Sequence, residues 1–158
     1  MMKKTACLIL VMTLSLTYAV CVFGNDTAGN AVPRTSTGQI DSMKINLRIG
    51  DRVLPATLFD NDTARDFMAL LPLTLTLEDY ARTEKISTLP KKLSIRDAPA
   101  GSDPSVGDIA YYAPWGNLAI FHKDFGYSAG LVILGKIDAG IEALQAPGGM
   151  NVIIEPAE

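Results

Sequence analysis

The strongest constraint on this chain is the stretch 107–137, GDIAYYAPWGNLAIFHKDFGYSAGLVILGKI, in which three short apolar runs alternate with turn-forming clusters. Residues 109–113, 118–121 and 131–137 are separated by Pro-Trp-Gly-Asn and by Asp-Phe-Gly-Tyr-Ser-Ala-Gly. Runs this short, bounded by Pro, Gly, Asn and Asp, are strands broken by turns rather than helices. The segment reads as a β-meander, and the rest of the domain must supply strands to pair with it.

Strand patterns recur on both sides of that stretch. Lys44-Ile45-Asn46-Leu47-Arg48-Ile49 alternates strictly, so Ile45, Leu47 and Ile49 share one face, and Gly50-Asp51 turns the chain into a second strand over residues 52–58. Ala64, Phe67, Met68 and Leu71 then fall at i, i+3, i+4 and i+7, with capping oxygens at residues 61–63 and Pro72 as a stop, which predicts a helix. Leu73, Leu75 and Leu77 alternate with Thr74, Thr76 and Glu78, returning the chain to a strand. Residues 79–108 show no clear period and hold Pro90, Pro99, Pro104, Gly101 and Gly107, the pattern of a long loop, either functional or merely solvated. Asp138 is placed to cap a short helix with Ile141 and Leu144 facing inward, and Pro147-Gly148-Gly149 leads to a last strand at 151–155. Seven or eight strands with two short helices make a mainly β domain, an antiparallel barrel or sandwich.

The ends set the compartment. Lys3 and Lys4 precede an apolar run over residues 6–23 interrupted by Thr13, Ser15 and Thr17, the layout of a secretory signal peptide rather than of a membrane anchor. Residues 1–24 are therefore expected to be a signal peptide, 25–42 a flexible linker rich in Asn, Thr, Ser and Gly, and 43–156 the barrel domain. A cut before Asn25 or before Val22 fits the small-residue rule, and lipidation at Cys21 is the route to a membrane-held form. Export to a periplasm or to the medium is the expectation. Cys7 and Cys21 are the only cysteines, so cleavage before Asn25 removes every thiol, and with them any disulfide or cysteine-based metal site. Residues 25–158 keep 12 Lys and Arg against 17 Asp and Glu, a net −5, which disfavours nucleic acid as a partner.

Candidate chemistry is sparse. His122 is the single histidine; without a second such ligand it makes no ordinary zinc site, and with no serine elbow it makes no hydrolytic triad, so a strand histidine with its ring hydrogen-bonded is expected. Glu84 and Lys85 could bind a polar ligand, but a solvated surface pair is the expectation. No phosphate loop or paired carboxylates occur, and no metal or cofactor is expected. Six of the eleven aromatics, counting five Tyr, five Phe and one Trp, lie within residues 111–127. Some belong to the core, but Trp115 in its Pro-Trp-Gly-Asn turn is exposed unless it closes over a groove. Tyr80, Tyr111, Trp115 and Phe121 are the candidate ligand-binding residues.

The order of elements resembles the cyclophilins. Asp60-Asn61-Asp62-Thr63-Ala64, Leu70-Leu71-Pro72-Leu73, Asp79-Tyr80, Glu84-Lys85-Ile86 and the run 107–117 are similar to the small bacterial and archaeal proteins of cyclophilin-like fold, over residues 43–155. The resemblance implies a closed eight-stranded barrel capped by two short helices. In cyclophilins a Phe-His-Arg-type motif after the capped helix supplies an arginine to the prolyl amide, and residues 73–82 carry no such motif. Phe121 in Ala119-Ile120-Phe121-His122 matches the pocket aromatic, while Arg82 and Arg96 are the arginines of the long segment. Two functions follow: a non-catalytic module that binds a peptide or small molecule in an aromatic-lined groove, or a divergent peptidyl-prolyl isomerase.

Overall fold

A computed structural model describes residues 43–158; the expected signal peptide and linker lie outside the described residues. The chain runs β1 (Met43–Ile49), β2 (Arg52–Leu58), helix α1 (Asp62–Met68), β3 (Leu73–Tyr80), β4 (Glu84–Thr88), β5 (Gly101–Ser102), β6 (Asp108–Tyr112), β7 (Asn117–Phe121), β8 (Ser128–Ala129), β9 (Leu131–Ile137), a 3-10 turn (Ile141–Gln145) and β10 (Met150–Pro156). Eight strands close an antiparallel barrel in the order β1-β10-β3-β4-β7-β6-β9-β2, and β5 pairs with β8 in a separate two-stranded ribbon.

Alternation decides which side chains fill the barrel. In the first hairpin Ile45 faces Ala56 and Leu47 faces Leu54, so both strands turn the same face inward, and all four residues are buried. α1 begins where the Asn61 side chain accepts the Ala64 N–H at 2.8 Å, and it buries Ala64 and Phe67 on the core. Complete burial of a side chain such as Phe67 contributes roughly 1.5–3 kcal/mol.

Three sequence expectations change. The meander is not consecutive: β6 lies between β7 and β9, because the chain leaves β7 through β8 and returns on the other side of β6. Asp138 caps nothing. It accepts hydrogen bonds from Thr57 at 2.9 Å and Lys44 at 3.2 Å, and the final helix is a 3-10 turn that starts at Gly140 without a side-chain cap, although Leu144 is buried as expected. Residues 79–108 are less irregular than their pattern suggests. β3 extends to Tyr80, and a tight turn with Ala81 and Arg82 both at positive φ (50° and 60°) leads into β4. That backbone is usually signalled by Asn-Gly, so Ala-Arg conceals the hairpin. Beyond β4, Leu89 and Leu93 join the core, while the Asp66 carboxylate of α1 accepts the Ser94 N–H at 2.8 Å and Lys91 Nζ at 3.2 Å, pinning the loop to the helix.

Barrel closure demands a close approach at Gly135, which pairs with Leu58 on β2 and Ile109 on β6. A Cβ there would strike the Thr57 carbonyl oxygen and come within 2.7 Å of Leu58 Cα, both backbone atoms. Gly135→Ala is expected to lower stability by ~1–3 kcal/mol in urea unfolding, the usual cost of overpacking.

Candidate functional site

Strands β4, β7, β6 and β9 carry a buried apolar cluster on their outer face as well as core residues inside. Ala110, Ala119, Phe121 and Leu131 are buried on the outer face, with Ile86, Tyr112 and Ile133 packed against them. This second cluster floors a cleft of about 180 Å³ lined by Tyr80, Glu84, Ile86, Tyr112, Trp115, Asn117, Phe121, Phe125, Ser128 and Leu131.

The registers explain how the cleft is assembled. Glu84 sits directly between two aromatic cross-strand neighbours, Tyr80 on β3 and Phe121 on β7. Two positions along β4, Ile86 faces Ala119, and Asn117 closes the far end opposite Thr88. Trp115, in the β6–β7 turn, stands edge-on to two tyrosines: its ring centroid is 5.5 Å from Tyr80 at 89° and 5.3 Å from Tyr112 at 83°. Both contacts have the T-shaped geometry that aromatic quadrupoles favour. Trp115 remains 55% exposed.

Tyr80, Trp115 and Phe121, expected as ligand-binding residues, thus meet at one cleft, and Tyr111 does not join them. Adjacent strand residues face opposite ways, so Tyr112 lines the cleft while Tyr111 points into the barrel, 1% exposed, its hydroxyl accepting the Leu93 N–H at 3.2 Å. Ile86, Asn117, Ser128 and Leu131 were not singled out in the sequence, where β4 showed too short an alternation to reveal its faces, while Glu84 was read there with Lys85, and Phe125 only as one of the clustered aromatics.

Glu84 and Lys85 do not form a surface pair. Lys85 is fully buried inside the barrel, where its Nζ donates to the carbonyls of Ala146 (2.7 Å) and Gly148 (2.8 Å) and pairs with Asp79 at 2.5 Å. The Lys85 hydrogen bond, followed by that from the Gly148 N–H, holds the Asp79 carboxyl below its ordinary range. Glu84 faces the other way, into the cleft, and makes no ion pair among the described residues. Burial among these rings pushes its carboxyl from an ordinary 4.5 up to about 7.

His122, just past β7, is buried, and its Nδ1 has no partner among the described residues, contrary to the expected hydrogen-bonded ring. Desolvation, then the Lys123 and Lys85 charges, lower its pKa and favour the neutral ring. It lines a different depression, with Asp79, Arg82, Lys123, Gln145 and Pro147. Arg96 lines a third, beside Asp60 and Asp97. Neither of the arginines from the long segment lines the aromatic cleft.

The cyclophilin-like family model matches residues 47–155, nearly the whole of the barrel. The chain belongs to the cyclophilin-like family. A hypothetical protein from Archaeoglobus fulgidus, known from its solution structure, is similar in fold at a TM-score of 0.55 and 19% identity, over 73% of this chain and 95% of that one. No curated protein matches the chain.

Two outcomes are expected. Trp115→Ala should cost less than about 1.5 kcal/mol of stability, the scale of exposed aromatic contacts, rather than the ~3–5 kcal/mol of a buried Trp, as read by thermal or urea unfolding. Because folding raises the Glu84 pKa, the stability that Glu84 contributes is complete below pH 4.5 and is lost as pH rises through about 7. Glu84→Gln should therefore gain in melting temperature relative to the wild type between pH 4.5 and 8, with no such trend below that window.

Proposed function

We propose that this cyclophilin-like domain is an exported, non-catalytic binding module whose aromatic cleft receives an extended peptide segment. The observation that carries the reading is the half-open aromatic corner of Tyr80, Tyr112 and Trp115 over a pre-formed apolar floor. An exposed ring cluster of this kind on a folded surface is a recurrent mark of a binding site. The cleft follows β4 and β7 lengthwise from Glu84 to Asn117, four residues or ~13 Å at 3.3 Å per residue, which suits an extended chain better than a compact molecule.

The second reading, a divergent peptidyl-prolyl isomerase, rests on the family relationship. Rotation about the prolyl bond faces a barrier of ~18–20 kcal/mol, and its catalysis in a dry slot requires a donor aimed at the amide. The cleft has no arginine, with Arg82 and Arg96 on other surfaces, so that donor is missing from its lining.

Titration of proline-containing and proline-free peptides against Trp115 fluorescence, alongside a prolyl isomerisation assay, separates the two. Trp115 is the chain's single tryptophan and reports on the cleft without labelling. Saturable binding without acceleration of isomerisation is expected; acceleration that Trp115→Ala abolishes would establish the isomerase instead.

A further inference from the structure

Glu84 raises a question that an apolar peptide groove does not answer. A carboxylate half-buried between Tyr80 and Phe121 pays for desolvation and receives no cation from the described residues: none of their Lys, Arg or His lines the cleft, and Glu84 has no ion pair among them. The neighbouring lysine is unavailable, since Lys85 points into the barrel and is held there by Asp79 and two carbonyls. The rings that desolvate the acid also present electron-rich faces to whatever enters, and a cation within ~6 Å of a ring centroid is attracted by the ring quadrupole. At the far end Asn117, 5% exposed, holds a side-chain oxygen with no hydrogen-bond partner among the described residues. A buried acceptor without a donor costs free energy until one reaches it.

We propose that the cleft selects ligands bearing an organic cation with N–H donors, an alkylammonium or a guanidinium, seated on Glu84 between the Tyr80 and Phe121 rings, with a second N–H of the ligand donated to Asn117. The inference rests on the cleft being a binding site and adds the charge of its occupant. Glu84 and Asn117 stand four strand positions apart, ~13 Å along the backbone, so a ligand that meets both is extended along the strands. The cavity itself is small. At ~30 Å³ per water-sized unit, 180 Å³ takes about six, enough for the end of a basic side chain and not for a drug-sized ligand. The chain's net charge of −3 draws cations in the same direction.

Binding should depend on pH through Glu84. The groups facing it are Tyr80 from β3, Tyr112 from β6, Asn117 and Phe121 from β7, Ser128 from β8 and Phe125 from the connecting loop, none of them a carboxylate, histidine, lysine or arginine. His122 and Lys123 follow Phe121 but belong to the depression with Asp79 and Arg82. A bound cation favours the ionised acid, so affinity should fall as pH drops through about 7 in the wild type and stay flat in Glu84→Gln.

The test uses the full chain, with Trp115 fluorescence and calorimetry as readouts and charge-matched probes: methylguanidinium against methylurea, and acetyl-Ala-Ala-Arg-Ala-amide against the same peptide with citrulline for arginine. The cationic member of each pair should bind at least tenfold more tightly at pH 8, and Glu84→Gln should remove that preference. Peptide binding much tighter than methylguanidinium would place the cation on a polypeptide; equal binding would place it on a small molecule, and both support the proposal. Neutral and cationic probes that bind equally would overturn it while leaving a peptide-binding cleft intact. Failure of all four probes, and of proline peptides too, would overturn the cleft as a binding site along with the proposal.

Discussion

Closing a sheet on itself gives every strand an inside and an outside, and the aromatic cleft of this domain depends on how β4 divides its residues between them. Lys85 goes in and Glu84 and Ile86 go out, because the strand period is two and Lys85 is held by Asp79 and by the carbonyls of Ala146 and Gly148. A lysine inside a barrel is costly unless its donors are satisfied, and three acceptors converge on this one. The Ala146 and Gly148 carbonyls lie just before β10, so the ammonium ties the segment after the 3-10 turn to the β3–β4 hairpin. A slip of one residue in β4 would bury Glu84 and expose Lys85, so the same contacts that satisfy the lysine fix the carboxylate in the cleft.

The outer cluster is the second consequence of closure. β6 and β7 are buried on both faces, which a barrel wall ordinarily does not need. Inside, Ile109, Tyr111, Leu118 and Ile120 join the core; outside, Ala110, Ala119 and Phe121 support Tyr112 and Trp115. The tight Ala81-Arg82 turn adds its own cost: two non-glycine residues in the left-handed region carry of the order of 1–2 kcal/mol each. The turn brings β4 back directly from Tyr80, placing Tyr80 opposite Glu84.

The fold relationship and the cleft speak to different questions. At 19% identity the archaeal structure shares the architecture, and the family match covers the barrel. Architecture alone assigns no chemistry, since one fold carries many sites. The chemistry on offer here is local: a carboxylate stands in the aromatic cleft and no arginine lines it.

Much of this was legible along the chain. Alternation in residues 44–49 and 73–77, the capped apolar period of residues 61–71 and the three runs of 107–137 determined the β class and where most strands lie, because periods of two and near four are set by local backbone geometry. The aromatic surplus in 111–127 and the turn position of Trp115 marked the region of the cleft for the same local reason. What only the tertiary structure decided is which neighbours close on one another: that β6 lies between β7 and β9, that Tyr112 rather than Tyr111 faces out, and that Lys85 is buried while Glu84 lacks a counter-ion among the described residues. Those outcomes depend on strand register and on residues up to 63 positions apart, as in the Lys85–Gly148 contact, and no local pattern encodes a partner that distant.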